Sequence, residues 1–170
     1  MRESREPLRH LVVSALFAAA VTVATAYLLH IPLPTGGYLH LGDALIYLGA
    51  CLLPTPWAMA AGAVGAGLAD LLTAPMWALP TVLIKPLLCL LFTSRDRRLL
   101  CPRNAAALFA AGLLSPTLYG LAGVLLSGTV SSFLPQFLGT LTQAAGSGLA
   151  FAVLAGGADR VGLKRRLTAE

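Results

Sequence analysis

The amino-acid sequence predicts an all-α fold, a polytopic membrane protein of six transmembrane helices with both termini cytoplasmic. It reads as a single integral membrane domain over residues 1–170. Three observations predict this. Hydrophobic residues make up 57% of the chain and charged residues 11%, whereas soluble domains carry about a quarter charged residues. The apolar residues fall into six runs, roughly 8–29, 42–53, 57–74, 78–93, 105–127 and 136–156. The basic residues fall into clusters that flank those runs.

The first run follows Arg2, Arg5 and Arg9 and is rich in alanine. Residues 1–26 also have the outline of a cleavable signal, with a basic start, an apolar core and "ATA" at 24–26. The apolar run continues past that point through "YLLH", so the segment is read as a retained first span. The second run is short and stops at Pro54 and Pro56; it is expected to span incompletely or to extend back to residue 39. The third and fourth, "WAMAAGAVGAGLADLLTA" and "ALPTVLIKPLLCLLFT", are near the minimum for a bilayer core, which takes about 20 helical residues. The fifth and sixth are comfortably long.

Charge sets the orientation. Eleven of the twelve Lys and Arg residues lie at the N-terminus, in the 94–104 loop (Arg95, Arg97, Arg98, Arg103) or near the C-terminus (Arg160, Lys164, Arg165, Arg166). The positive-inside rule puts all three clusters in the cytoplasm. Even numbers of spans must then separate them, and four plus two satisfies both intervals. Loops 30–41, 74–77 and 128–135 become external, and they contain no Lys or Arg. The net charge of +5 would suggest nucleic acid in a soluble protein. Without interleaved aromatic and basic residues, no nucleic-acid partner is expected.

Ionisable residues within a membrane are costly and so point to function, each burying a charge at about 2.5 kcal/mol or more. Three qualify: Asp43, Asp70 and Lys85. All fall in the outer half of the bundle, Lys85 about 10 Å below the outer start of its span. Asp43 follows a glycine-bearing loop, so it can cap a helix as well as line a pocket. Asp70 and Lys85 can pair structurally or meet a solute. Tyr38 and His40 stand on the first external loop and suit either solvent or a ligand. Trp77 serves equally as a membrane-interface anchor or a stacking platform, whereas Trp57 reads as an anchor. Tyr119 and Gln143 complete the polar inventory, and an intramembrane Gln needs a hydrogen-bond partner. Small residues spaced by four, as at Gly62, Ala66 and Asp70 or at Ala15 and Ala19, allow close helix approach.

Catalytic signatures are missing: there is no H-E-x-x-H, G-x-S-x-G, Walker A or C-x-x-C motif. Cys51, Cys89 and Cys101 support neither a disulfide framework nor a zinc site. No enzyme, cofactor or metal site is expected.

Residues 36–88, "GGYLHLGDALIYLGACLLPTPWAMAAGAVGAGLADLLTAPMWALPTVLIKPLL", carry LGDA, LADLL and IK in order on successive spans. This combination resembles the substrate-binding S component of energy-coupling factor (ECF) transporters, of the riboflavin or vitamin-precursor type, and the likeness extends across nearly the whole chain. It implies a six-helix protein of the prokaryotic plasma membrane that captures a vitamin-like small molecule from outside. It also implies a coupling transmembrane protein and two cytoplasmic ATPases as partners. The family's A-x-x-x-A face toward the coupling protein matches Ala15 and Ala19. Its outer pocket would draw on Tyr38, His40, Asp43, Trp77, Lys85, Tyr119 and Gln143, with Asp70 structural or pairing. Metal-transporting relatives use an N-terminal histidine, whereas "MRESREPLRH" offers only His10 on the opposite side. A stand-alone ion-coupled secondary transporter or small channel is the rival reading, because intramembrane Asp and Lys also suit proton coupling. A membrane enzyme and a ligand-free assembly subunit are weaker rivals.

Overall fold

The structure, a computed structural model, describes residues 5–28, 31–32 and 38–168. Among them the chain forms seven helices and one two-residue strand pair. They are α1 (Arg5–Ala26), β1 (Ile31–Pro32), β2 (Tyr38–Leu39), α2 (Gly42–Leu52), α3 (Thr55–Thr73), α4 (Ala78–Cys89), α5 (Pro102–Ser127), α6 (Phe133–Arg160) and α7 (Leu163–Thr168). Single 3₁₀ turns at Pro75–Trp77 and Val130–Ser132 lead into α4 and α6. The strands pair antiparallel, Ile31 with Leu39 and Pro32 with Tyr38.

Each of the six apolar runs contains one helix, but the helices differ in reach. Glu6–Ala26, Pro102–Ser127 and Val130–Arg160 are long and apolar enough to cross a bilayer. α2, with 11 residues, rises only about 16 Å. α4 ends at Cys89, four residues before its apolar run does. Pro86 lies inside it and lacks the N–H that would continue the backbone ladder. α3 has 19 residues and is not among the three helices long and apolar enough to cross.

The most extensive interfaces are α1 on α3, α3 on α4, and α5 on α6, with α2 inserted among α1, α3, α4 and α6. Eight of the eleven α2 residues are buried. A helix apolar nearly all round belongs in a core, and here that core is the centre of the bundle. α1 meets α3 at van der Waals distance because α3 offers glycine: a Cβ on Gly65 would lie 2.6 Å from the Ala18 carbonyl oxygen. Two hydroxyls seal this seam. Ser14 Oγ donates to the Trp57 carbonyl and Thr22 Oγ1 to that of Gly65, each at 2.9 Å.

The end of the bundle near the 90–101 connection is closed by an apolar cluster and two polar clasps. Tyr47 stacks on Phe92 at 4.8 Å between centroids, and Phe151 meets both rings edge-on. Asn104, fully buried, accepts the Thr93 N–H (2.9 Å) and donates to the Leu99 carbonyl (3.0 Å). Asp159 at the end of α6 accepts the N–H groups of Leu99 and Leu100 at 2.8 and 3.0 Å. This connection is therefore fixed to both α5 and α6.

Candidate functional site: a polar cavity at the opposite end of the bundle

Where α2 begins, α3 ends, α4 begins and α6 begins, the buried faces turn polar. From the turn before α4 into α4 itself, Trp77, Thr81 and Lys85 are buried, spaced about one helical turn apart. On α6 it is Gln136, Thr140 and Gln143, followed by Ser147 and then the apolar Phe151 and Ala155. α5 adds Tyr119 and α3 adds Asp70. Helical periodicity thus carries a polar stripe from each of several helices to one depth, and the stripes enclose a cavity of about 40 Å³.

A salt bridge organises this region. Lys85 Nζ lies 2.7 Å from Asp43 Oδ1, with the two side chains 2% and 1% exposed. The other Asp43 oxygen, Oδ2, accepts from Gln143 Nε2 at 3.2 Å. Low dielectric strengthens the attraction, but desolvating both charges offsets much of it. The bridge therefore fixes positions more than it stabilises the fold. Thr81 Oγ1 and Tyr119 Oη share a hydrogen bond of 2.7 Å, and the Lys85 ammonium stands 5.0 Å from the centre of the Tyr119 ring. That distance is within cation–π range. The Trp77 and Tyr119 rings are 5.9 Å apart and tilted by 47°. The Trp77 indole N–H is buried with no acceptor among the described residues, the kind of orphaned donor that folded proteins seldom leave.

Most of the residues singled out from sequence converge here. His40, Trp77, Lys85, Tyr119 and Gln143 line the cavity, as does Asp70. The side chain of Tyr38 lies outside the described residues. Asp43 is placed differently from either sequence expectation. It sits behind the cavity wall, holding Lys85 and Gln143 by their polar heads. Nor does it cap α2: His40 Nδ1 accepts the Gly42 N–H at 3.0 Å and fills that role. Lys85 bridges Asp43, which answers the open question of its partner, while Asp70 lines the cavity from α3.

Sequence reading missed Thr25, Thr81, Gln136 and Thr140, all in the lining. Three of the omissions were detectable. Thr81 is one turn before Lys85, and Gln136 and Thr140 precede Gln143 on one helical face. Ala15 and Ala19 are not among the lining residues and are exposed on α1. Among the described residues, no group of three His, Cys, Asp or Glu side chains could hold a metal ion.

A bundle of long apolar helices whose polar side chains converge on one cavity defines an α-helical membrane protein with a polar internal site. Its family follows from comparison with known proteins. Residues 7–158 match the family described as ECF-type riboflavin transporter, S component, and the chain belongs to that family, which is a transporter component and not an enzyme class. Over 67 residues the chain is 48% identical to a protein of Pyrococcus woesei described as "Uncharacterized protein in gap 3'region". That alignment takes in 39% of this chain and 45% of the relative, so it spans less than half of the relative's length. No solved structure matches the chain significantly.

Proposed function

We propose that this chain is the substrate-capture (S) component of an ECF-type importer of the prokaryotic plasma membrane. It takes a vitamin or related small heterocycle from outside and delivers it with a separate coupling membrane protein and two cytoplasmic ATPases. Six spans with both termini cytoplasmic complete this reading, since the cavity then opens toward the outside. The observation that carries it is the cavity itself, in a chain that matches the S-component family over residues 7–158. Its Trp77 and Tyr119 rings supply flat faces. Lys85, held by Asp43, supplies an oriented cation, and Gln143 an amide whose direction is fixed. The Trp77 N–H supplies a donor for a ligand carbonyl or ring nitrogen.

The cavity of about 40 Å³ has room for a few waters, whereas small-molecule pockets usually enclose about 300–1,000 Å³. Uptake of a heterocycle therefore requires the site to widen. Titration of the purified protein with riboflavin, pyridoxine and a thiamine-pathway pyrimidine tests this reading. Tryptophan fluorescence reports the result through Trp77. Saturable binding of one of them is expected; no saturable change with any of these heterocycles counts against it.

The buried Asp43–Lys85 pair favours one alternative, an autonomous ion-coupled transporter. Solute accumulation in proteoliposomes holding this protein alone, driven by an imposed proton gradient, would establish it. Under the S-component reading such vesicles accumulate nothing, and the protein co-purifies from native membranes with a coupling protein and ATPases.

A further inference from the structure

Two adjoining clefts open beside the 94–101 connection, at the end of the bundle remote from the cavity. One, of about 320 Å³, is walled by Arg97, Arg98, Lys164 and Arg165, with Asp159 and Gly162 at its base. The other, of about 290 Å³, shares Arg97, Lys164 and Arg165 and adds Arg95 and Asp96. Among the described residues five cations line the clefts beside two carboxylates, and both carboxylates are engaged by backbone. Asp159 holds the amides of Leu99 and Leu100. The Arg98 amide holds the Asp96 carboxyl below the usual carboxylate range. Lys164 is only 8% exposed, and burial pulls its ammonium below the usual lysine range. An arriving anion would reverse that penalty.

The surroundings indicate which anion. Leu100, whose amide Asp159 holds, is 39% exposed, and Val161, between Asp159 and Gly162, is 59% exposed. A separate apolar groove between α5 and α6 is lined by Ala105, Leu108, Phe109, Leu113 and Leu141. Cations at the helix ends, with apolar surface next to them, match the two halves of a phospholipid. Guanidinium groups are suited to bidentate contact with phosphate, and basic pockets at such helix ends are where lipid headgroups bind.

We propose that this double cleft binds the phosphate of an anionic phospholipid, with Arg97, Lys164 and Arg165 as the contacts. The assignment does not depend on which solute the central cavity takes. The test is titration of the detergent-solubilised full chain with acyl-labelled phosphatidylglycerol and, separately, phosphatidylcholine of the same chains. Wild type should bind phosphatidylglycerol about tenfold more tightly or better. Arg97→Gln/Arg165→Gln, both at exposed positions and checked for an unchanged melting midpoint, should bring that affinity down to near the phosphatidylcholine value. Arg103→Gln/Arg166→Gln removes the same charge outside the clefts and should largely keep the preference. Three results would overturn the proposal. They are no preference in wild type, equal loss in the two double variants, and displacement by inorganic phosphate that exceeds displacement by sodium chloride at equal ionic strength. The last would make the cleft a site for a soluble anion.

Discussion

Asp43 and Lys85 form a pair whose members are nearly inaccessible to solvent, and its energetics decide what mutation does. Removing one partner leaves the other charge buried and costs about 3–5 kcal/mol, whereas replacing both with apolar residues is often neutral. Asp43→Ala or Lys85→Ala alone is therefore expected to lower the melting midpoint in detergent while leaving membrane insertion intact. Each should also weaken ligand binding at least tenfold, about 1.4 kcal/mol. Asp43→Leu/Lys85→Met should recover much of the stability without recovering the ligand. If the double variant binds as well as wild type, the pair is structural alone. A smaller change addresses the indole: Trp77→Phe keeps the ring face but loses the N–H. It should weaken binding of a ligand with a carbonyl or ring-nitrogen acceptor by about 1 kcal/mol, measured by calorimetry because the Trp77 signal is gone.

At the scale of helices, the α1–α3 seam depends on the absence of side chains. A Cβ at Gly65 meets the Ala18 oxygen at 2.6 Å and Val21 Cβ at 2.9 Å, and neither is a flexible side-chain end. Gly65→Ala should therefore force the two helices apart and destabilise the bundle by about 1–3 kcal/mol. Gly112 on α5 is the control, with nothing within 4 Å of its added Cβ. There the helix propensity of alanine should give a neutral or slightly raised melting midpoint. A neighbouring face of α1 leaves Ala15 and Ala19 exposed. Under the importer reading, Ala15→Leu/Ala19→Leu should abolish co-purification of the coupling protein and leave ligand titration unchanged. Loss of both functions would mean that this face supports the fold instead.

Across the whole molecule, chemistry is divided between two ends. Polar stripes meet at the end where α4 and α6 begin, and the lysine–arginine clusters gather around the end where α5 begins. Under the proposed six-span orientation these ends face outside and cytoplasm. Cysteine labelling in intact cells checks it, because Cys51, Cys89 and Cys101 are all buried and contribute little background. Ser131→Cys, exposed between α5 and α6, should react with a membrane-impermeant maleimide, and Ser94→Cys should react only after lysis. Labelling of both from outside would mean that α5 does not cross.

Several features were legible in the residues themselves. Six apolar runs yielded six helices because segment hydropathy and helical backbone satisfaction are local properties. The clustering of Arg and Lys at one end is likewise a matter of segment order, and LGDA, LADLL and IK pointed to the family that the comparison bears out. Asp43, Lys85 and Gln143 stood out because a polar group in an apolar run is anomalous wherever it points. What the sequence left open was pairing. Asp43 and Gln143 are 100 positions apart, and nothing local indicates that an aspartate at the start of α2 meets a lysine on α4, or that His40 takes the cap. Thr25, on α1, joined the cavity for a similar reason: an alanine- and glycine-lined seam lets α1 approach α3 closely. Local patterns determined the helices and their order; only the packing of all of them decided which polar groups share one enclosed space, because burial and partnership depend on every helix at once.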